Sequence, residues 1–334
     1  MGTALANAVA SGDRQAVLWS EDAVIVRSIN DSHRNPVHFT DHVLPRCLSA
    51  TSSLREALTG AGCVLVAVPS EAVRATGARM RQHLDPDAAV ISTVKALERV
   101  TNKRMSAVLQ EETGVRDVGA ISGPNLSHDI LAGRPTGLVV GSANRAVIDE
   151  VAEALTGPAL QVAGTSDLVG LELMGALKNV IAIGAGIASG LELGDNARAL
   201  IIARGLMEIQ TLSAALGGCH ETFRSVAGIG DLFLTATSLH SRNHMVGIEL
   251  GRGAGLSQIV ALLGRLRETA EGIGTVEACC SLAASQRLRM PLAESVHAVM
   301  FEGRDPRAAI LNALNDSADD FQPFPMPAQV GCDG

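Results

Sequence analysis

The chain has no tyrosine, one tryptophan and six phenylalanines in 334 residues. So few aromatic faces leave little on which nucleobases could stack. Basic residues are also in deficit, with 27 Lys and Arg against 35 Asp and Glu and a formal net charge of -8. That balance gives no footprint for a polyanion, and nucleic acid is not expected as a partner. The six cysteines, Cys47, Cys63, Cys219, Cys279, Cys280 and Cys332, form no CxxC pair and no metal-type spacing, so they read as reduced thiols. Two histidine pairs, His38 with His42 and His240 with His244, lack a third ligand nearby, and no metal is expected. Nowhere do about eighteen apolar residues run uninterrupted, and the residues after Met1 lack the charged start and apolar stretch of a leader. A cytoplasmic protein without membrane insertion is therefore expected.

What is present is apolar content of 47%, ample for the cores of two domains. Strand-like runs at Ala16 to Trp19, Cys63 to Val68, Ala88 to Val94, Asp117 to Ile121, Gly137 to Gly141 and Leu160 to Ala163 alternate with helical patterns at Glu71 to His83, Asn102 to Glu112 and Asn144 to Leu155. Such alternation predicts an α/β, doubly wound, Rossmann-like parallel-sheet domain over 1–166. Pro69 and Pro124 mark loops at the carboxyl ends of strands, the edge where open sheets of this kind bind ligands. From Asp167 the pattern changes to long helical segments, Leu168 to Leu193 and Ala197 to Leu216 first, predicting an all-α domain over 167–315. The tail over 316–334, with Pro323, Pro325 and Pro327, has no periodicity and is expected to fray.

Lys178 stands alone as a cation in Leu173 to Gly186, a run otherwise small or apolar apart from Asn179. Its stem either packs while the head reaches water, or the ammonium is buried and its pKa falls toward neutrality, where it can give and take a proton. The sixty-odd residues that follow hold Gly194-Asp195-Asn196-Ala197-Arg198, Ala227-Gly228-Ile229-Gly230-Asp231-Leu232 and Ser241-Arg242-Asn243. Taken singly, Asp231 could be a helix cap and Ser241 to Asn243 a surface turn. An alternative also stands for Glu21 and Asp22, which fit a solvated helix start as well as a ribose contact.

These segments, with Ile121 to Asn125, Gly133 to Thr136, Thr269 to Gly272 and Met290-Pro291, resemble the bacterial-type NAD(P)-dependent sn-glycerol-3-phosphate dehydrogenases. The likeness runs from Gly2 to about Asn312. It implies reduction of dihydroxyacetone phosphate, a precursor role in glycerophospholipid synthesis, and a homodimer. By the same resemblance Lys178 is the acid/base, Asp231 its partner and Lys95 a second lysine near substrate and cofactor. Gly123, Asn125, Ser241, Arg242 and Asn243 fall to the small phosphorylated substrate, where a hydroxyl, a guanidinium and an amide could hold several phosphate oxygens. Gly2, Glu21, Lys95, Ser127, Arg242, Thr269 and Glu271 fall to the cofactor; Asn196 and Arg198 complete the set, with Arg198 ranked below the others because it also suits a helix arginine paired to an acid. Glu21 and Asp22 favour NAD over NADP, since acids accept from ribose hydroxyls and repel a 2'-phosphate.

The chain departs from the family pattern in three places. Asn125 stands where many relatives have Ser or Thr, and Ala96 replaces a glycine. The first strand and the first two glycines of GxGxxG are missing before Gly2, so an upstream translation start is expected. Two rival readings follow: a degenerate phosphate-ligand binder without catalysis, or a dehydrogenase of another phosphorylated hydroxy compound.

Overall fold

The computed structural model describes residues 1–12, 14–265 and 270–316. The expected tail lies almost wholly outside the described residues. Seven strands occupy the first half: β1 (Ala16–Trp19), β2 (Leu48–Thr51), β3 (Cys63–Val66), β4 (Ala89–Ser92), β5 (Val118–Ser122), β6 (Thr136–Ser142) and β7 (Leu160–Thr165). Interleaved with them are α1 (Gly2–Ser11), α2 (Ala23–Ser32), α3 (Leu54–Leu58), α4 (Val73–Met80), α5 (Met105–Thr113), α6 (Ser127–Leu131) and α7 (Arg145–Leu155). From Leu168 onward the described residues contain helices only: α8 (Leu168–Gly190), α9 (Gly194–Ala215), α10 (Asp231–Thr237), α11 (Arg242–Gly251), α12 (Leu256–Arg265), α13 (Gly272–Ser285), α14 (Pro291–Phe301) and α15 (Pro306–Asp316).

The sheet is in two pieces. β1 pairs with β2 in parallel, and β3-β4-β5-β6-β7 form a second sheet in that order. Within it β5 and β6 run antiparallel, so the sheet is mixed rather than purely parallel. The expected strand at Ala16 to Trp19 falls on β1, whereas β2 was not expected. Its four residues, Leu-Ser-Ala-Thr, are too short and too weakly apolar to show a period. The antiparallel step is likewise a tertiary choice that no local pattern encodes. Wholly buried β4 delivers Lys95, and buried β5 delivers Gly123 and Asn125, to the carboxyl edge.

The helical half is organised around α8, buried from Gly170 to Ala188. Asp167 caps it, accepting from Gly170 N at 2.8 Å, and also accepts from Cys219 N at 2.9 Å. With 23 residues and a mean hydropathy of 1.5, α8 has the length and apolarity of a membrane span. Burial by its neighbours accounts for that apolarity, because a helix hydrophobic all round belongs at the centre of a core. Lys178 thus does not reach bulk water along its stem; it is 4% exposed.

Contact between α8 and α11 is backbone on backbone. A Cβ at Gly186 would meet His244 O at 2.2 Å, and one at Gly190 would meet Ile248 O at 2.2 Å. From the other side, Gly247 and Gly251 would meet Ile183 O at 2.1 Å and Ile187 O at 2.4 Å. Four glycines spaced one turn apart let the axes approach, and the N-terminus of α11 is thereby set beside the middle of α8. Across the two halves, Glu172 of α8 accepts from Ser106 N at 2.8 Å and Arg104 at 2.6 Å, capping α5.

Gly247→Ala is expected to push α8 and α11 apart and lower stability by about 1–3 kcal/mol or more. Gly274→Ala on α13, where a Cβ meets nothing within 4 Å, is the control and is expected to be neutral or slightly stabilising. Thermal unfolding followed by circular dichroism checks both. A Gly247→Ala melting temperature equal to that of the control variant would refute the close-contact account.

Candidate active site

The site is built from three places in the chain. α8 supplies Lys178, the loop after β4 supplies Lys95, and α10 opens with Asp231. A turn of π-helix, Val226–Gly230, leads into α10 and sets that position. Gly228 permits it: a Cβ there would meet Phe223 O at 2.4 Å. π-turns of this kind re-aim a side chain at functional sites. The Asp231 carboxylate makes no cap bond for its own helix. It faces the two lysines instead, which decides against the cap alternative.

Lys178 Nζ donates to Asp231 Oδ1 in a close ion pair and to Thr235 Oγ1 at 2.8 Å. Lys95 Nζ donates to Asp231 Oδ2 at 2.9 Å, to Asn125 Oδ1 at 2.6 Å and to the Gly123 carbonyl at 2.6 Å. Those three bonds use all the hydrogens of the Lys95 ammonium. Lys178 uses two and keeps one for a ligand. Thr235 Oγ1 donates its own hydrogen to Asp231 O at 2.7 Å, so it meets Lys178 as an acceptor. Gly175, one turn before Lys178, lets α8 lie against β5; a Cβ there would sit 2.9 Å from Ser122 Oγ.

Burial dominates the Lys178 amine and lowers its pKa from 10.5 to about 7, even against the pull of Asp231. Burial works the other way on Asp231, but Lys178 and Lys95 together hold it below the usual carboxylate value. Glu271, across the same space, is raised by burial and held back by Lys95, Arg242 and Lys178.

Lys95, Asn125, Lys178, Asp231, Thr235 and Glu271 face one cavity of about 1600 Å³. Of the residues expected from sequence, it brings together Gly2, Glu21, Lys95, Asn125, Ser127, Lys178, Asp231, Ser241, Arg242, Asn243 and Glu271. Gly123 does not line it. With φ at 132°, its Cβ would strike Gly137 O at 2.6 Å, so β6 rather than a ligand requires glycine there. Arg198 is turned to Asp195 of its own helix at 2.7 Å, and Asn196 is exposed. Thr269 lies outside the described residues. Thr235 and Asn179 were not found in the sequence, although Thr235 sits four residues after Asp231 on the same helix face. Asn179 donates to the Lys95 carbonyl at 3.2 Å, steadying the loop that carries that lysine.

The cavity has room for a dinucleotide, and its volume also takes in the gap between the two sheet pieces, because β1 and β3 both line it. Gly2, at the start of α1, lines it, and amides at a helix N-terminus favour a pyrophosphate. Trp19 and Glu21 beyond β1 line the same cavity as Lys178 and Arg242.

Family models describing the N-terminus and the C-terminus of NAD-dependent glycerol-3-phosphate dehydrogenase match residues 1–148 and 167–311. A protein of an Exiguobacterium species named glycerol-3-phosphate dehydrogenase (NAD(P)+) is 37% identical over 91% of this chain and 89% of its own length. A Rhodospirillum rubrum protein of the same name is 38% identical over 94% of this chain and 89% of its own. The crystal structure of glycerol-3-phosphate dehydrogenase from Coxiella burnetii superposes with a TM-score of 0.87 at 33% identity, covering 93% of this chain and 95% of that one. With both halves matched and the two lysines meeting on Asp231, the chain belongs to the NAD-dependent glycerol-3-phosphate dehydrogenase family.

Proposed function

We propose that the chain reduces dihydroxyacetone phosphate to sn-glycerol 3-phosphate with NADH or NADPH. The observation that carries this reading is the buried Lys178 with its lowered pKa, hydrogen-bonded to Asp231 and Thr235 and facing a cavity with room for a dinucleotide. The reduced nicotinamide, when bound, supplies a hydride to the ketone carbon.

The chain's own residues handle the proton and the phosphate. Lys178, as an ammonium, polarises the C2 oxygen with its remaining hydrogen and delivers that proton as the alkoxide forms. Asp231 and Thr235 hold the amine in position for the return step. Lys95 spreads positive charge to the same carboxylate and keeps the cluster one charge positive. At the other wall, Arg242 pairs with no described carboxylate and offers its guanidinium to the phosphate. Asn243 accepts from Gly272 N at 3.0 Å with its carbonyl, which leaves its amide hydrogens as donors. Ser241 accepts from His244 N at 3.3 Å, which leaves its hydroxyl hydrogen free. A dianion meets three donors from consecutive positions.

The reading extends to a cytoplasmic homodimer that feeds glycerophospholipid synthesis; the family resemblance supports it. The two rival readings are less favoured. A binder without catalysis has no need of a dry lysine tuned toward neutrality, and Asn125, the motive for another substrate, is engaged with Lys95.

NADH oxidation with dihydroxyacetone phosphate tests the proposal. Lys178→Ala is expected to lower kcat by about 10²–10⁴-fold with NADH affinity nearly unchanged; turnover near that of the wild type would remove Lys178 from the acid/base role. Reduction needs the ammonium, so its kcat/KM is expected to fall as pH rises through about 7, while oxidation of sn-glycerol 3-phosphate, which needs the free amine, rises through the same pH. Profiles that are flat there, or that move together, contradict the assignment. Arg242→Ala is expected to raise KM for dihydroxyacetone phosphate by about 10–100-fold, the loss of a charge-assisted contact. An unaltered KM would place the phosphate elsewhere.

A further inference from the structure

Among the residues that line the cavity, Trp19, Glu21 and Arg79 form a cluster that the proton and phosphate chemistry does not use. β1 ends at Trp19, whose indole N–H donates to Ser52 O at 3.2 Å and so fixes the ring. The Arg79 guanidinium, from α4, lies 5.3 Å from the centre of that ring and donates to Glu21 at 2.5 Å. Asp22 is otherwise engaged, capping α2 through Val24 N at 2.8 Å. These side chains line the cavity without belonging to the core: Glu21 is 69% exposed and Arg79 52%. The cavity's other arginines are Arg14, paired with Glu153 at 2.5 Å, and Arg242 near Lys178.

We infer that this cluster selects the cofactor, taking the nucleotide with free adenosine ribose hydroxyls and rejecting the 2'-phosphorylated one; the inference rests on the proposed function. In doubly wound sheets an acid beyond this strand accepts from the ribose hydroxyls. Glu21 has lone pairs to spare for that task after meeting Arg79. Arg79 is the cation a 2'-phosphate would need, yet Glu21 pairs with it and it lies over the indole of Trp19. Glu21, Asp22 and Arg79 together carry one net negative charge, and a 2'-phosphate brings about two more. The guanidinium face is left for the adenine ring, a stacking role that Arg fills and Lys does not.

Trp19 is the one tryptophan in a chain without tyrosine, so indole emission reports this cluster alone. Titrating the full chain with NADH and with NADPH, and reading quenching of that emission, gives both dissociation constants without turnover. NADPH is expected to bind of the order of 100-fold more weakly than NADH, a like-charge penalty. Glu21→Ser, which releases Arg79, is expected to shrink that ratio to about tenfold or less, and Arg79→Ala added to it removes the gain in NADPH affinity. Equal constants in the wild type, or an unaltered ratio in Glu21→Ser, overturn the inference. NADH turnover with unaltered Trp19 emission overturns it too, yet leaves the proposed function standing. Absence of both turnover and any emission change overturns both.

Discussion

Two lysines share one carboxylate, and the site depends on that arrangement. Asp231 reaches Lys178 with one oxygen and Lys95 with the other, each ammonium coming from a different half of the chain. A buried carboxylate between two cations is held ionised, and a buried ammonium beside it is held near the point of losing its proton. Removing Asp231 leaves two buried ammoniums facing each other without a counter-charge, which is costly. The cluster therefore clasps the sheet to the helices at the place where the proposed chemistry occurs.

The rest of the architecture supplies the clasp with fixed parts. α8 is buried at the centre of the helical core, which leaves Lys178 only 4% exposed. Gly186, Gly190, Gly247 and Gly251 bring α11 against it, which brings Arg242 and Asn243 to the same cavity as the amine. Glu172 joins α8 to α5, and the π-turn before Asp231 turns its carboxylate away from helix capping. These contacts hold the lysines and the carboxylate in place before a ligand arrives, which is what preorganisation requires.

Much of this was legible in the residues, for reasons that differ between parts. The alternation of apolar runs with helical periods encodes the two-part plan, and a lone cation in an apolar run marks Lys178 without reference to structure. Asp231, Lys95 and the Ser241 to Asn243 triplet needed the family resemblance, because singly they suit a cap, a surface lysine and a turn. β2 was not legible because four weakly apolar residues show no period, and the antiparallel β5–β6 step because strand direction is settled by packing. Thr235 was missed since a threonine inside a helix carries no signal of its own until Asp231 is known to face inward. Gly123 was marked for closeness to a ligand, but the crowding that demands glycine comes from the backbone of β6. Arg79 escaped notice because its partners, Glu21 and Trp19, lie some sixty residues earlier.

The central claim is that burial tunes one amine to neutrality, and the amine itself can be titrated. Carbon-13 labelling of the lysine side chains, with Lys178→Arg used to assign the resonance, follows its protonation directly. A midpoint near 7 is the predicted result, and a midpoint at the ordinary lysine value of 10.5 would contradict the account.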